Sequence, residues 1–221
     1  MKTSRSRGFG DIKSWYHKKN LKTAVNALKQ RDFTASYFSN IKTLNNALLK
    51  IIPEKASIGI PGSVTIRELG IMEKLRKRGN RVIQHWKKEL TEKTDQNARR
   101  LEETADYYLT SANAITLDGD IINIDGVGNR VAAMIYGPKN VIIIAGRNKL
   151  VGSIEDGIKR SKEIAAVMNA KRVGAKTPCV KTGICVDCKV KQRICRVISI
   201  IQYRPWQTNI SVMLVDQDLG F

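Results

Sequence analysis

Apolar positions along the chain follow two different periods, and the change from one to the other divides it. Leu21, Ala24, Val25 and Leu28 recur at the i, i+3, i+4, i+7 spacing of one helix face, which predicts a helix over residues 11–30. A short strand from Phe33 to Phe38 follows, and then a second amphipathic helix from Ile41 to Ile52 that stops before Pro53. From Ser57 onward, strands and helices alternate. The strand Ser57 to Ile60 turns at Pro61-Gly62-Ser63 into a helix with Ile66, Leu69, Met72 and Leu75 on one face, ended by Gly79. Arg81 to His85 reads as the next strand. Lys87 to Ala105 reads as a charged helix with a buried stripe of Leu90, Thr94, Ala98, Leu101 and Ala105. Tyr107 to Ile115 and Asp120 to Ile124 read as strands joined at Asp118-Gly119, and Asn129 to Tyr136 as a helix closed by Gly137-Pro138.

Val141 to Ala145 is a continuous apolar run, too short to cross a bilayer and suited to a strand buried on both faces. The helix from Ile154 is announced by Ser153 with Asp156 three residues on, and Ile154, Ile158, Ser161, Ala165 and Met168 form its inward stripe. Residues 176–195 keep no period, and strands from Arg196 to Tyr203 and Ile210 to Asp216 close the chain. Strands alternating with helices predict an α/β fold, a mostly parallel open sheet flanked by helices on both faces. Residues 1–55 read as a basic tail and helical accessory layer, and 56–221 as the α/β core, in one structural domain. In such sheets ligands sit at the carboxyl ends of the strands.

Composition changes this picture little. A chain of 221 residues, 42% hydrophobic, can bury a core without disulfides. The basic, polar start from Met1 to Gly10 is followed by no apolar stretch, so a cytoplasmic protein without a membrane span is expected. Charge alters it more. The net charge of +19 suits an acidic partner, and a basic nucleic-acid-binding module is one reading. The cations are scattered, however, and no helix-turn-helix, zinc finger or paired aromatics accompany them. The other reading is a basic pocket for a small phosphate or carboxylate.

Two strand-to-helix turns could hold such an anion. At Gly62-Ser63-Val64-Thr65, free N–H groups at a helix start favour a phosphate or carboxylate, unless Ser63 merely caps its own helix. At Asp125-Gly126-Val127-Gly128-Asn129-Arg130, two glycines let the backbone approach a ligand. Asp125 could serve as a general base there, and Arg130 as a bidentate fork. Alternatively Asn129 caps the helix and Asp125 pairs with Arg130. The four cysteines form a third feature. Cys179, Cys185, Cys188 and Cys195 are spaced C-x5-C-x2-C-x6-C among lysines and arginines. In a reducing compartment this set could ligate zinc or an iron–sulfur cluster, act as redox thiols, or simply pack in an irregular loop. The two histidines, His17 and His85, sit in no motif, and His85 reads as a packing or surface residue. No flavin or dinucleotide fingerprint is present.

The run from Ser111 through Asn113 and Thr116 to Asp118-Gly119, continuing to Asp125-Gly-Val-Gly-Asn-Arg130, resembles the LUD-domain family of lactate-utilisation proteins. So do Gly137-Pro-Lys139, Gly62-Ser-Val-Thr65 with Glu68, and the Cys segment followed by Asp216 to Phe221. The likeness is to its small stand-alone members. It implies a fold related to the ribose-phosphate isomerase, glucosamine-phosphate deaminase and CoA-transferase superfamily. It also implies ligand-binding turns at Gly62, Ser63, Thr65, Asn113, Gly126, Gly128, Asn129 and Arg130. The role implied is to assist oxidation of lactate or a related 2-hydroxy acid, with iron–sulfur partner proteins carrying part of the electron transfer. The alternative from the same superfamily is a free-standing isomerase or CoA-transferase type of enzyme, with Asp125 or Glu68 as the catalytic carboxylate.

Overall fold

The computed structural model describes residues 8–86 and 91–221. Its first half comprises α1 (Phe9–Gln30), β1 (Thr34–Phe38), α2 (Ile41–Ile51), β2 (Ser57–Gly59), α3 (Val64–Glu68), α4 (Ile71–Lys77), β3 (Arg81–Ile83) and α5 (Glu92–Glu103). There follow β4 (Tyr107–Thr110), β5 (Ala114–Thr116), β6 (Ile121–Asp125), α6 (Asn129–Tyr136), β7 (Asn140–Gly146) and β8 (Leu150–Val151). The chain closes with α7 (Ile154–Arg160), α8 (Ala166–Arg172), α9 (Pro178–Thr182), β9 (Val197–Ile201) and β10 (Asn209–Val215).

Six strands in the order β1-β10-β7-β4-β2-β3 make an entirely parallel sheet. The apolar run in β7 is divided between its two faces, as a pleat requires. Val141, Ile143 and Ala145 enter one core with Leu21, Ala24 and Leu28 of α1. Ile142 and Ile144 enter the other with Leu44 and Leu48 of α2 and Ile66, Ile71 and Leu75 of α3 and α4. β10 alternates in the same way, with Ile210, Val212 and Leu214 on the α1 side and Met213 and Val215 opposite. Each fully buried aliphatic side chain of this kind contributes about 1.5–3 kcal/mol. The edge strand β1, from the segment read as an accessory layer, pairs residue for residue with β10.

Three predicted elements are changed. Tyr107 to Ile115 is two strands, because the chain leaves the main sheet after Thr110 and joins a second, four-stranded mixed sheet in the order β8-β5-β6-β9. The break at Ser111-Ala112-Asn113 is held by side chains: the carbonyls of these three residues accept from Arg130, Lys149 and Arg160. The helix from Val64 is interrupted at Gly70, which takes a left-handed φ of 62° between α3 and α4. The helix from Ile154 contains a π-helical turn, Ser161–Ala165, between α7 and α8. Its extra residue rotates the later part, so Ala166 and Ala170 are buried and the predicted core residue Met168 is 49% exposed.

The charged helix also sits differently from its expected stripe. Residues 87–90, Leu90 among them, lie outside the described residues. In α5 the side chain of Leu101 is 47% exposed, whereas Glu102 is completely buried. The reason lies in β2. A Cβ on Gly59 would stand 2.2 Å from the Glu102 carbonyl oxygen, so helix and strand touch backbone to backbone, and the acid faces inward.

Candidate functional site

A cavity of about 270 Å³ opens at the carboxyl ends of β2, β3, β4 and β7, where segments following those strands meet the loop after β6. Parallel pairing brings these ends to one edge, so residues far apart in sequence share one wall. After β2, Ser63 caps α3 by accepting from the Ile66 N–H at 3.4 Å. The same loop puts Gly62 and Thr65 on the cavity wall. After β4, Ser111, Ala112 and Asn113 line it, and Asn113 Oδ1 accepts from the Ile124 N–H at 2.9 Å and from Arg130 at 3.0 Å.

The loop after β6 is closed by Asp125. Its Oδ1 accepts the N–H groups of Val127 and Gly128, both at 3.0 Å, and its Oδ2 accepts from Arg130 Nε at 3.3 Å. Burial acts to raise the Asp125 pKa, but the Arg130 charge and the two amides outweigh it and hold the carboxyl below its ordinary value. The paired reading of Asp125 and Arg130 is therefore the one observed. Arg130 also donates to the carbonyls of Ser111 and Ile124, so the side chain braces three segments of the wall. Gly128, with φ of 94°, is the N-terminal cap of α6, and Asn129 is not; its Oδ1 accepts from Arg99 at 3.3 Å.

Eight of the ten predicted anion-site and acid–base residues thus line one cavity: Gly62, Ser63, Thr65, Asn113, Asp125, Gly126, Asn129 and Arg130. Gly128 shapes the loop behind the wall. Glu68 stands away from it, accepting from the Gly220 N–H at 2.7 Å.

Four further residues were not picked out by sequence reasoning. Lys149, on the 3-10 turn Arg147–Lys149 after β7, is 3% exposed. Its Nζ donates to Thr65 Oγ1 and Ser111 Oγ, each at 2.9 Å, and to the Ala112 carbonyl at 3.0 Å. Burial above all, then the charges of Arg160 and Arg130, lowers its pKa to about 7. Arg99 from α5 and Arg172 from α8 reach the same cavity, the latter carried round by the π turn. His85 follows β3, beside Trp86, whose indole N–H donates to the Ile60 carbonyl at 3.2 Å and whose ring is covered by Arg67 at 3.4 Å. For Lys149 a signal existed: it lies just past the most apolar strand, where a parallel sheet places its ligand.

The wall carries Arg99, Arg130 and Arg172 beside the buried Lys149; Arg130 is paired with Asp125 and Arg99 with Asp95, and Arg172 has no carboxylate partner among the described residues. That surplus of positive charge suits a small anion.

The profile of the LUD domain matches residues 21–215. The chain belongs to the LUD-domain family. Among solved structures, a DUF162-family protein from Deinococcus radiodurans superposes with a TM-score of 0.52 at 14% identity. The match covers 90% of this chain and 98% of that one, and it shows a shared fold. No curated protein matches the chain. Among the described residues of this LUD-domain protein, no helix is long and apolar enough to cross a membrane.

The cysteine segment packs beside the cavity. A Cβ on Gly126 would stand 2.9 Å from the Ile194 carbonyl oxygen, and the Arg196 N–H donates to the Asp125 carbonyl at 2.9 Å. Cys179, Cys185, Cys188 and Cys195 are all free and half-buried, and all four line a second cavity of about 20 Å³. In donor type and in facing one space they suit a shared ion. In position they do not: among the described residues no three His, Cys, Asp or Glu are grouped to hold one. Ala166 and Ile194 border both cavities.

Proposed function

We propose that this LUD-domain protein binds the carboxylate of lactate or a related small 2-hydroxy acid in the strand-end cavity. It would serve oxidation of that acid together with iron–sulfur partner proteins. The family's association with lactate utilisation sets the general role. The observation that supports the ligand class is the basic character of the wall: Arg130 is paired with Asp125 and Arg99 with Asp95, while Arg172 makes no ion pair among the described residues. Size points the same way, because about 270 Å³ is at the small end for ligand pockets and suits a three- or four-carbon acid better than a CoA ester.

Calorimetric titration with L-lactate, glycolate and pyruvate, beside sugar phosphates and CoA esters, tests the reading. Saturable binding of the small acids, weakened about tenfold (about 1.4 kcal/mol) in Arg172→Gln, is expected. Binding of only phosphorylated ligands would replace it with the isomerase-type reading. Zinc or cluster binding by the four cysteines is a separate proposal, resting on the donor set, and it requires the segment to draw its thiols together. Metal analysis of anaerobically purified protein tests it, and metal-free protein with four titratable thiols overturns it.

A further inference from the structure

His85 is one of only two histidines in the chain, and the fold gives it a partner no local pattern announced. Its Nδ1 lies 2.8 and 3.1 Å from the two carboxylate oxygens of Glu102. The two side chains are 10% and 0% exposed. Burial holds the Glu102 pKa above its ordinary value, and the contact with His85 offsets this only in part. Glu102 is fixed from behind, since its backbone rests on Gly59 with no room for a Cβ between them.

The second ring nitrogen is turned the other way. Nε2 lies 3.7 Å from the point where a Cβ on Gly62 would sit, and Arg172 Nη2 lies 3.8 Å from the same point. His85, Gly62 and Arg172 all line the basic cavity. Among the described residues, none hydrogen-bonds to Nε2. With Nδ1 engaged by the carboxylate, Nε2 is the ring nitrogen left to face the cavity. A buried carboxylate orienting an imidazole toward a ligand space is the arrangement used to move protons. In a 2-hydroxy acid the carboxylate and hydroxyl are on adjacent carbons. Nε2 and Arg172 Nη2 lie within 4 Å of one point, close enough for one such acid to reach both.

We propose that His85, oriented by Glu102, is the proton-exchanging residue of this cavity, and that its Nε2 receives the hydroxyl proton of a bound 2-hydroxy acid. In the transfer the O–H bond breaks with its electron pair left on oxygen, and the Nε2 lone pair forms the new N–H bond. This rests on the reading of the cavity as a 2-hydroxy-acid site, and the experiment separates the two.

Protein labelled with ¹⁵N-histidine is observed by long-range ¹H–¹⁵N correlation, with His17→Gln assigning the only other ring. In the ligand-free protein the neutral ring of His85 is expected to carry its proton on Nδ1 and none on Nε2. Saturating L-lactate is expected to move the Nε2 resonance in the direction of a hydrogen-bonded acceptor, and pyruvate, which lacks the hydroxyl, to leave it in place. Glu102→Gln is expected to lose the tautomer preference. A ligand-free His85 protonated on Nε2 overturns the proposal, whatever binds. So does calorimetric binding of L-lactate with no response at Nε2, which leaves the carboxylate site standing. If L-lactate does not bind, the carboxylate reading falls, and orthophosphate becomes the probe. A phosphate-dependent shift at Nε2 supports His85 as the proton partner of a different oxyanion, and neither binding nor shift overturns both.

Discussion

Replacing Lys149 with methionine keeps most of the side chain's length and removes its titration. In the folded protein the Lys149 pKa is lowered to about 7 from an ordinary 10.5, with burial as the main cause. A lowered lysine contributes a stability term that is fully present above the unfolded pKa and is lost as pH falls toward the folded one. Between these two values the unfolded chain holds a proton that the folded chain lacks, so stability should rise with pH across that window. The full shift corresponds to about 5 kcal/mol. Near pH 10 the net charge of the whole chain vanishes and solubility suffers, so the useful range ends lower. From about pH 7.5 to about pH 9.5 the Lys149 term alone changes by about 2.5 kcal/mol. Urea unfolding of wild type and Lys149→Met at several pH values, followed by far-UV circular dichroism, isolates it, because every other titrating group cancels in the difference. The stability of wild type relative to the variant should climb by about 2.5 kcal/mol over that interval. A difference that stays within about 0.5 kcal/mol would show that Lys149 titrates normally and that the cavity wall is wet.

Asp125→Asn removes the charge that holds Arg130 and should cost about 2–3 kcal/mol of stability at neutral pH. Because the Asp125 pKa is depressed, the difference from wild type should persist above the ordinary carboxyl range and disappear as pH falls below it. Gly59→Ala drives a methyl group onto the Glu102 carbonyl and should cost about 3 kcal/mol, read as a lowered urea midpoint; a cost under about 1 kcal/mol would mean that α5 can lift away. Arg172→Gln should weaken small-acid binding about tenfold and flatten its dependence on salt, whereas Lys93→Gln, on an exposed part of α5, should do neither.

The main sheet was legible because its strands are short apolar blocks whose two-faced burial shows in composition, as in Val141 to Ala145. The loops at Gly62 and Asp125 were legible because glycine and helix-capping residues mark turns locally. The second sheet was not, because the switch at Ser111–Asn113 depends on Arg130, Lys149 and Arg160 arriving from later in the chain. The partnership of His85 with Glu102 was hidden for a related reason. A glutamate in a charged helix looks like solvent-facing surface, and only the backbone contact at Gly59 turns it inward.

The π turn at Ser161–Ala165 lets the helix hold one residue more than a regular turn would, without moving the side chains that follow. An α-helix advances about 100° per residue. Deleting one residue within that turn would restore a regular helix and keep every other side-chain type. It would leave Asn169 and Arg172 on the cavity and Met168 outside, because the wide turn already absorbs the residue removed. A relative one residue shorter here would therefore be expected to keep both the fold and this cavity wall, with a regular helix in place of the π turn.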